Sequence, residues 1–218
     1  MEPKDLKIQA VKDAKCKLIL DAANKVFCEK GIWNARMEDI AAVAGFSKPS
    51  LYNYYADKES IVISLAMREF EQLGEPISLV ASQELPFIES IDKIYRIILK
   101  HLADKFSLFL DIDDYIKIAV ANLNSENQSE LKKQFFNAIN KSKEAYSMII
   151  KRGRKNGEIA SPIPDDVLSQ MLIVISHSVQ MKWKMQGKAD DVATATEQLI
   201  EFIKNGFSIT TGKKQTTL

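Results

Sequence analysis

Residues 48–56 carry the side chains in this chain whose types and spacing best suit binding chemistry, and the chemistry they suit is contact with nucleic acid. They offer a cation, hydroxyl groups and an amide, with no acidic residue between them: Lys48, Pro49, Ser50, Tyr52, Asn53 and Tyr54. Such groups bond phosphate oxygens and base edges. Lys58, at the start of the next predicted helix, is placed to reach a phosphate.

Catalytic and metal-binding patterns are weak by comparison. The two histidines of the sequence, His101 and His177, do not have the spacing of metal ligands. Asp111, Asp113 and Asp114 resemble a chelating cluster, but such groups commonly cap helices. We find no phosphate-binding glycine loop, no dinucleotide fingerprint and no nucleophile elbow. The sequence therefore predicts no enzyme, no metal site and no cofactor.

Helices must position the candidate DNA contacts. Glycine (8) and proline (6) are scarce, and apolar residues recur at helical spacing between them. The first four predicted helices span residues 8–30, 37–44, 48–54 and 58–73. In the second, Ile40, Val43 and Ala44 are expected to face inward; Ser47 is expected to cap the third and Asp57 the fourth. Two short helices around a glycine turn indicate a helix-turn-helix, whose second helix enters the major groove.

Residues 15–62 resemble the DNA-binding region of the TetR family of transcriptional regulators. The matching residues agree in order and spacing: Ile19, Ala22, Ala23, Phe27, Gly31, Asp39, Ile40, Ala41, Ala44, Gly45, Ser47, Leu51, Tyr52, Tyr55, Lys58 and Glu59. The resemblance implies that residues 48–54 form the recognition helix and that Tyr52 and Lys58 contact phosphates. Arg36 departs from the family pattern, which usually has there a threonine that caps the second helix and contacts a phosphate. The charge of Arg36 could serve the same phosphate contact, and the alternative is a solvated side chain. Since arginine caps poorly, the second helix is expected to fray or to be capped by Asn34.

Charge and cysteine content limit the setting. The net charge is +1, and residues 1–60 hold ten basic and nine acidic side chains. Because non-specific DNA affinity comes from phosphate neutralisation, it should be weak, and binding should depend on a site-specific dimer. Cys16 and Cys28 lie about 18 Å apart along one predicted helix, too far for a disulfide. Free thiols, with no signal peptide or membrane span, indicate a cytoplasmic protein.

Residues 1–60 are predicted to form the DNA-binding domain, and residues 61–218 a helical ligand-sensing and dimerisation domain. The predicted fold is all-α, with about nine helices. The further helices are placed at 87–106, 112–123, 127–156, 165–186 and 190–208. Residues 165–186 are apolar on two faces, so this helix needs two partners, one of which could be a symmetric copy. The expected dimer interface comprises Leu168, Met171, Leu172, Ile175, Val179, Leu199, Phe202 and Ile203.

Aromatic, methionine and histidine side chains of this second domain are candidates for a small-molecule pocket, which the family resemblance implies. They are Phe106, Phe109, Tyr115, Phe136, Tyr146, Met148, His177 and Met181. Each has an alternative interpretation as ordinary core, because aromatics and methionines fill cores as readily as they line pockets. The sequence does not identify the ligand.

The predicted function is a sequence-specific transcriptional regulator: a homodimeric repressor that leaves a palindromic double-stranded DNA operator when an unidentified small molecule binds. The ligand would favour a conformer with splayed DNA-binding helices, and the helix at 58–73 would transmit the change. Activation stays open as the sign of regulation. The alternative is a helical ligand-binding or protein-adaptor module without DNA activity, and steep salt dependence of DNA binding would separate the two.

Overall fold

The computed structural model describes residues 3–122 and 126–206, and within these ranges the chain is helical with no strand. The nine helices are α1 (Pro3–Lys30), α2 (Met37–Ala44), α3 (Lys48–Tyr52), α4 (Lys58–Ser82), α5 (Phe87–Asp104), α6 (Phe106–Ala121), α7 (Glu126–Lys155), α8 (Asp165–Gln186) and α9 (Val192–Gly206). The all-α prediction is confirmed. Residues 123 and 207–208, at the ends of two predicted helices, and the Asp113 side chain lie outside the described residues. No described helix has the length and apolarity needed to cross a membrane.

The two halves of α1 differ in exposure. Residues 5–18 are exposed apart from half-buried Cys16. The helix begins at Pro3, ahead of the start predicted at residue 8. From residue 19 onward the helix buries the predicted apolar stripe: Ile19, Ala22, Ala23, Val26 and Phe27. Gly31 follows the helix at a φ of 76°, and its amide donates to the Phe27 carbonyl. This left-handed cap turns the chain toward α2.

Helices α2 and α3 form the predicted helix-turn-helix. Met37, Ile40 and Ala41 are the buried residues of α2. Val43, predicted to face inward, is instead 46% exposed, because it lies out of phase with this i, i+3, i+4 stripe. Gly45 ends the helix in the left-handed region, and its N–H returns to helix carbonyls. The chain can then reverse within a few residues and begin α3.

Side-chain caps fix the starts of α3 and α4 as predicted. Ser47 Oγ accepts a hydrogen bond from the Ser50 amide at 3.3 Å. Asp57 Oδ1 accepts one from the Ser60 amide at 2.7 Å. Each cap satisfies an amide that the helix itself leaves unpaired.

Helix α4 continues past its predicted end at residue 73. Gly74 and Pro76 lie inside the helix, which ends at Ser82. A proline in a helix interior removes one backbone hydrogen bond. Burial of Ile77 and Ala81 on the following turns offsets that loss, so the helix survives two residues that usually interrupt one.

The chain divides into two compact units. One comprises Met1–Glu69 with Ser107–Phe136, and the other comprises Phe70–Phe106 with Asn137–Leu218. The first unit therefore holds the helix-turn-helix, the first turns of α4 and most of α6. Because α4 runs without a break through residue 60, the domain boundary predicted there does not correspond to a linker.

In the second unit, α5 packs against α8 and α9. Leu168, Leu172 and Trp183 of α8 are fully buried, and the Tyr95 hydroxyl of α5 donates to the Leu172 carbonyl at 2.8 Å. These residues occupy one of the two apolar faces of α8. The unit's core therefore uses the face that the sequence analysis assigned to a partner subunit.

Most of the predicted dimer interface is consequently wrong. Its buried members lie in the chain's own core: Leu168, Leu172, Val179, Leu199 and Ile203. Ile175 is half-buried, and Met171 and Phe202 are exposed. The second apolar stripe of α8 faces outward and is exposed along its length: Val167, Met171, Val174, Met181 and Met185. We call these five residues the α8 outer stripe.

Polar contacts of Arg154 and Glu158 hold loops of the second unit. Arg154, near the end of α7, donates to Asp165 Oδ1 at 2.6 Å and to the Ser161 carbonyl at 2.6 Å. Glu158 accepts a hydrogen bond from the Phe87 amide at the start of α5. The first contact ties the α7–α8 loop to α7, and the second caps α5 with a distant residue.

Candidate nucleic-acid interface

Helix α3 and its C-terminal cap present to solvent four of the side chains that were predicted to contact DNA, whereas Ser50 is half-buried. Leu51 is fully buried and anchors the helix from its inner side. Lys48, Pro49 and Asn53 are exposed, and Tyr52 is 43% exposed. Positions 48, 49, 52 and 53 follow an i, i+1, i+4, i+5 spacing and so share one face of the helix. This face combines a cation, a phenol and an amide, which suits phosphates and base edges.

Lys48 already has a partner in the protein. Its ammonium forms an ion pair with Glu38 on α2, and both side chains are more than half exposed. The hydrogen bond to Glu38 raises the pKa of Lys48, and the same bond lowers the pKa of Glu38. Sequence analysis missed Glu38, because the pair depends on how α2 and α3 cross. DNA must compete with this carboxylate for the lysine.

Tyr54, at the end of the recognition segment, is only half exposed. Its ring lies edge-on to Phe46, with centroids 5.8 Å apart. The Lys15 ammonium of α1 lies 5.8 Å from the Tyr54 centroid. Tyr54 therefore helps to hold α3, and it places Lys15 of α1 beside the candidate interface.

Lys58 is not on the candidate DNA surface, contrary to the prediction. Its ammonium donates to the backbone carbonyls of Ile32 at 2.9 Å, Trp33 at 3.4 Å and Ala35 at 3.1 Å. It also lies 5.1 Å from the Tyr115 ring centroid. Burial lowers the pKa of Lys58. The long side chain has turned inward to satisfy the carbonyls of the α1–α2 loop, which explains the difference.

Arg36 precedes α2 and is exposed, as its proposed phosphate contact requires. The helix start does not depend on its side chain, because Asp39 Oδ2 accepts a hydrogen bond from the Arg36 amide at 3.0 Å. Lys30 donates to the other Asp39 oxygen at 2.6 Å. Asn34, the predicted alternative cap, donates to the Lys30 carbonyl instead. The guanidinium of Arg36 is thus free of any capping role.

Tyr115 of α6, one of the predicted pocket residues, belongs to the unit that holds the helix-turn-helix. Its ring lies edge-on to Trp33, with centroids 4.9 Å apart, and its hydroxyl donates to Glu59 Oε1 at 2.9 Å. Burial is the main cause that raises the pKa of Tyr115. Together with the Lys58 contact, Tyr115 connects α6 to the first turn of α4 and to the loop before α2.

The remaining predicted pocket residues have varied environments. Phe136, His177 and Met181 are exposed, while Phe106 and Phe109 are half-buried. Tyr146 is 1% exposed, and its hydroxyl has no hydrogen-bond partner among the described residues. Met148 is exposed and lines a cleft. Exposure of His177 and Met181 follows from the orientation of α8, whose opposite face is buried.

The cleft at Met148 has a volume of about 470 Å³ and lies between α4 and α7 in the second unit. Phe70 and Met148 supply apolar surface, and three carboxylates, from Glu71, Glu75 and Glu144, share the lining. Sequence analysis named one of its residues, Met148, and missed the others, because they come from two helices far apart in the chain. Phe70 and Gly74 lie four residues apart and therefore share one face of α4, and this spacing was the signal for the cleft that the sequence offered.

Comparison with known proteins supports the assignment of the interface. The family model described as bacterial regulatory proteins of the tetR family matches residues 19–65. The chain is 25% identical over 194 residues to the fatty acid metabolism regulator protein of Bacillus subtilis, covering 86% of this chain and 93% of that protein. It is 24% identical to the transcriptional repressor KstR2 of Rhodococcus jostii, covering 87% and 89%.

A solved structure shares the fold. The B. subtilis regulator FadR, crystallised with stearoyl-CoA, matches with a TM-score of 0.71 and 21% identity, over 87% of this chain and 98% of that one. The matched family model spans the chain from the second half of α1 to the first turns of α4, and this segment contains the exposed α3 surface. Residues 19–65 are therefore a DNA-binding segment of the tetR type of bacterial regulatory proteins, and the chain as a whole shares the fold of a solved transcriptional regulator.

Proposed function

We propose that this regulator is a repressor that binds a palindromic operator as a homodimer and leaves it when a small molecule binds. The observation that carries the proposal is the exposed face of α3, which presents Lys48, Tyr52 and Asn53 on a helix fixed by a capped start and a buried leucine. A rigid helix with this surface suits insertion into the major groove. KstR2, among the relatives, is named a repressor, which supports the sign of regulation.

The α8 outer stripe supports a homodimer. Its five residues follow one line along the helix, and Met185 is 83% exposed. Phe202 of α9, another large apolar residue, is 59% exposed. Exposed apolar patches of this length are typical of protein interfaces. We therefore replace the predicted interface with one centred on Val174 and Met181, in which α8 packs against its symmetry mate.

The proposed effector is a small molecule, and the proposed location is the cytoplasm, where a bacterial regulator meets its DNA. The relative crystallised with stearoyl-CoA makes long-chain acyl-CoA the first effector class to test in a release assay. Identity between the two chains is low, so the effector of this chain must be argued from its own residues.

The contacts of Tyr115 suggest how effector binding reaches the DNA-binding helices. The Tyr115 hydroxyl bonds Glu59, and its ring contacts Trp33 and lies near Lys58. A shift of α6 would therefore move the start of α4 and the loop before α2 with it. Ligand binding that favours such a shift would lower the population of the DNA-binding conformer.

Selection of duplexes from a random pool tests the proposal. The parent protein is expected to enrich a palindrome, and Tyr52→Ala is expected to bind that palindrome about tenfold more weakly, since it removes a contact from the exposed face of α3. Leu79→Ala, which shortens an exposed side chain on α4, is the matched control and should bind like the parent. Failure of the effector-free parent to enrich any sequence would refute the proposal.

A further inference from the structure

We propose that the cleft between α4 and α7 binds an organic cation, that is, a small molecule with a positive charge beside an apolar or aromatic group. The inference deepens the proposed function by naming the class of effector. Binding to the cleft is a property of the folded chain, so it can be tested without DNA.

The charge of the cleft favours a cation. Glu71, Glu75 and Glu144 line it, and its lining includes no lysine, arginine or histidine among the described residues. Within the same part of the chain, none of the three glutamates takes part in an ion pair. A cation bound in the cleft would be attracted by all three carboxylates.

The shape of the cleft also favours a bound small molecule. Gly74 lies in the interior of α4 and lines the cleft between Glu71 and Glu75. A Cβ atom at this position would meet no atom within 4 Å, so close packing does not require a glycine there. Glycine weakens a helix relative to alanine. Its local effect is to widen the cleft, which provides room for an occupant.

The apolar residues determine what accompanies the charge. Phe70 offers an aromatic ring, which attracts cations, and Met148 offers a polarisable side chain that adapts to apolar groups. A volume of about 470 Å³ is in the range of small-molecule sites. A metal ion would leave most of this space empty. The phosphates of an acyl-CoA would meet the three carboxylates, so this cleft does not suit them.

Two ions of the same size and shape test the inference directly. Tetraphenylphosphonium and tetraphenylborate both present four phenyl rings and differ in the sign of their charge. In titration calorimetry with the purified full-length protein, the phosphonium is expected to bind at least about tenfold more tightly than the borate. Equal affinities, or no measurable phosphonium binding, would overturn the inference.

Variants locate the site. Each exchange of a cleft glutamate for glutamine is expected to weaken phosphonium binding about twofold to fivefold, because these carboxylates are solvent-exposed. The triple variant Glu71→Gln, Glu75→Gln, Glu144→Gln should lose the preference for the cation. Glu84→Gln, an exposed glutamate outside the cleft, is the control and should bind like the parent. Phosphonium binding that survives in the triple variant would place the site elsewhere and overturn the inference.

Gly74→Leu provides a second test that leaves every charge in place. Leucine favours the helix and projects into the space in front of Gly74, so the variant should fold and lose phosphonium binding. The result does not depend on the proposed repressor function. Loss of operator binding in the parent would refute that function alone, whereas operator binding with no phosphonium binding would refute the cleft assignment alone.

Discussion

Replacing Lys58 with methionine tests whether this lysine stabilises the fold or contacts DNA. Methionine keeps much of the side-chain length and removes the ammonium that serves three carbonyls. Hydrogen bonds from charged donors contribute about 1.5–3 kcal/mol each, and the bond at 3.4 Å counts for little. Desolvation of the ammonium, seen in the lowered pKa of Lys58, offsets part of the gain. We expect the free energy of unfolding to fall by about 2–3 kcal/mol.

The assay is thermal unfolding followed by circular dichroism. For a chain of 218 residues, a loss of this size lowers Tm by about 4–12 °C. Lys25→Met, which removes an exposed lysine of α1, is the control and should leave Tm unchanged. The reasoning is refuted if Lys58→Met keeps the parent's Tm and instead reduces the salt slope of DNA binding by about one, as loss of a phosphate contact would.

Three further outcomes are expected. Tyr146→Phe removes a buried hydroxyl that has no partner in the described part of the chain, so denaturant unfolding should show a stability equal to the parent's or up to about 1 kcal/mol higher; a loss above that amount would mean that the hydroxyl is bonded. Glu158→Ala removes the cap at the Phe87 amide and should cost about 1–2 kcal/mol in the same measurement, with Glu158→Gln costing less because it keeps an acceptor. Val174→Glu and Met181→Glu put charges into the α8 outer stripe and should give monomers in analytical ultracentrifugation, whereas unchanged dimers would place the interface elsewhere.

The helix-turn-helix could be predicted in detail because its signals are local. Gly31 and Gly45 end helices at the residues where their backbone conformation is required, and Ser47 caps α3 from an adjacent position. The apolar stripe from Ile19 to Phe27 has one face to bury, so periodicity alone orients α1.

The sequence could not predict which face of α8 is buried, because two of its faces are apolar. Leu168 and Val167 are neighbours in sequence and equally suited to a core, yet Leu168 is fully buried and Val167 is exposed. The choice depends on where α5 and α9 lie, and those positions are set by the whole fold. His177 and Met181, two of the predicted pocket residues, lie on the exposed side of α8 for the same reason.

Contacts between residues far apart in the sequence could not be predicted either. Lys58 bonds carbonyls more than twenty residues away, and Glu158 bonds the Phe87 amide across 71 positions. Flexible charged side chains have many possible partners, so sequence pattern cannot select among them. The cleft has the same difficulty, since Glu71 and Glu144 meet only in the folded second unit.

We expect the ion pair between Lys48 and Glu38 to couple operator binding to protons. In the free protein the hydrogen bond from Lys48 holds the pKa of Glu38 below its usual range. When Lys48 exchanges this carboxylate for a phosphate, the Glu38 pKa rises and the carboxyl takes up a proton at mildly acidic pH. By linkage, operator affinity should increase as the pH falls below about 5. Recognition of DNA by α3 is then an exchange of one anion for another, and acidity shifts that exchange toward DNA.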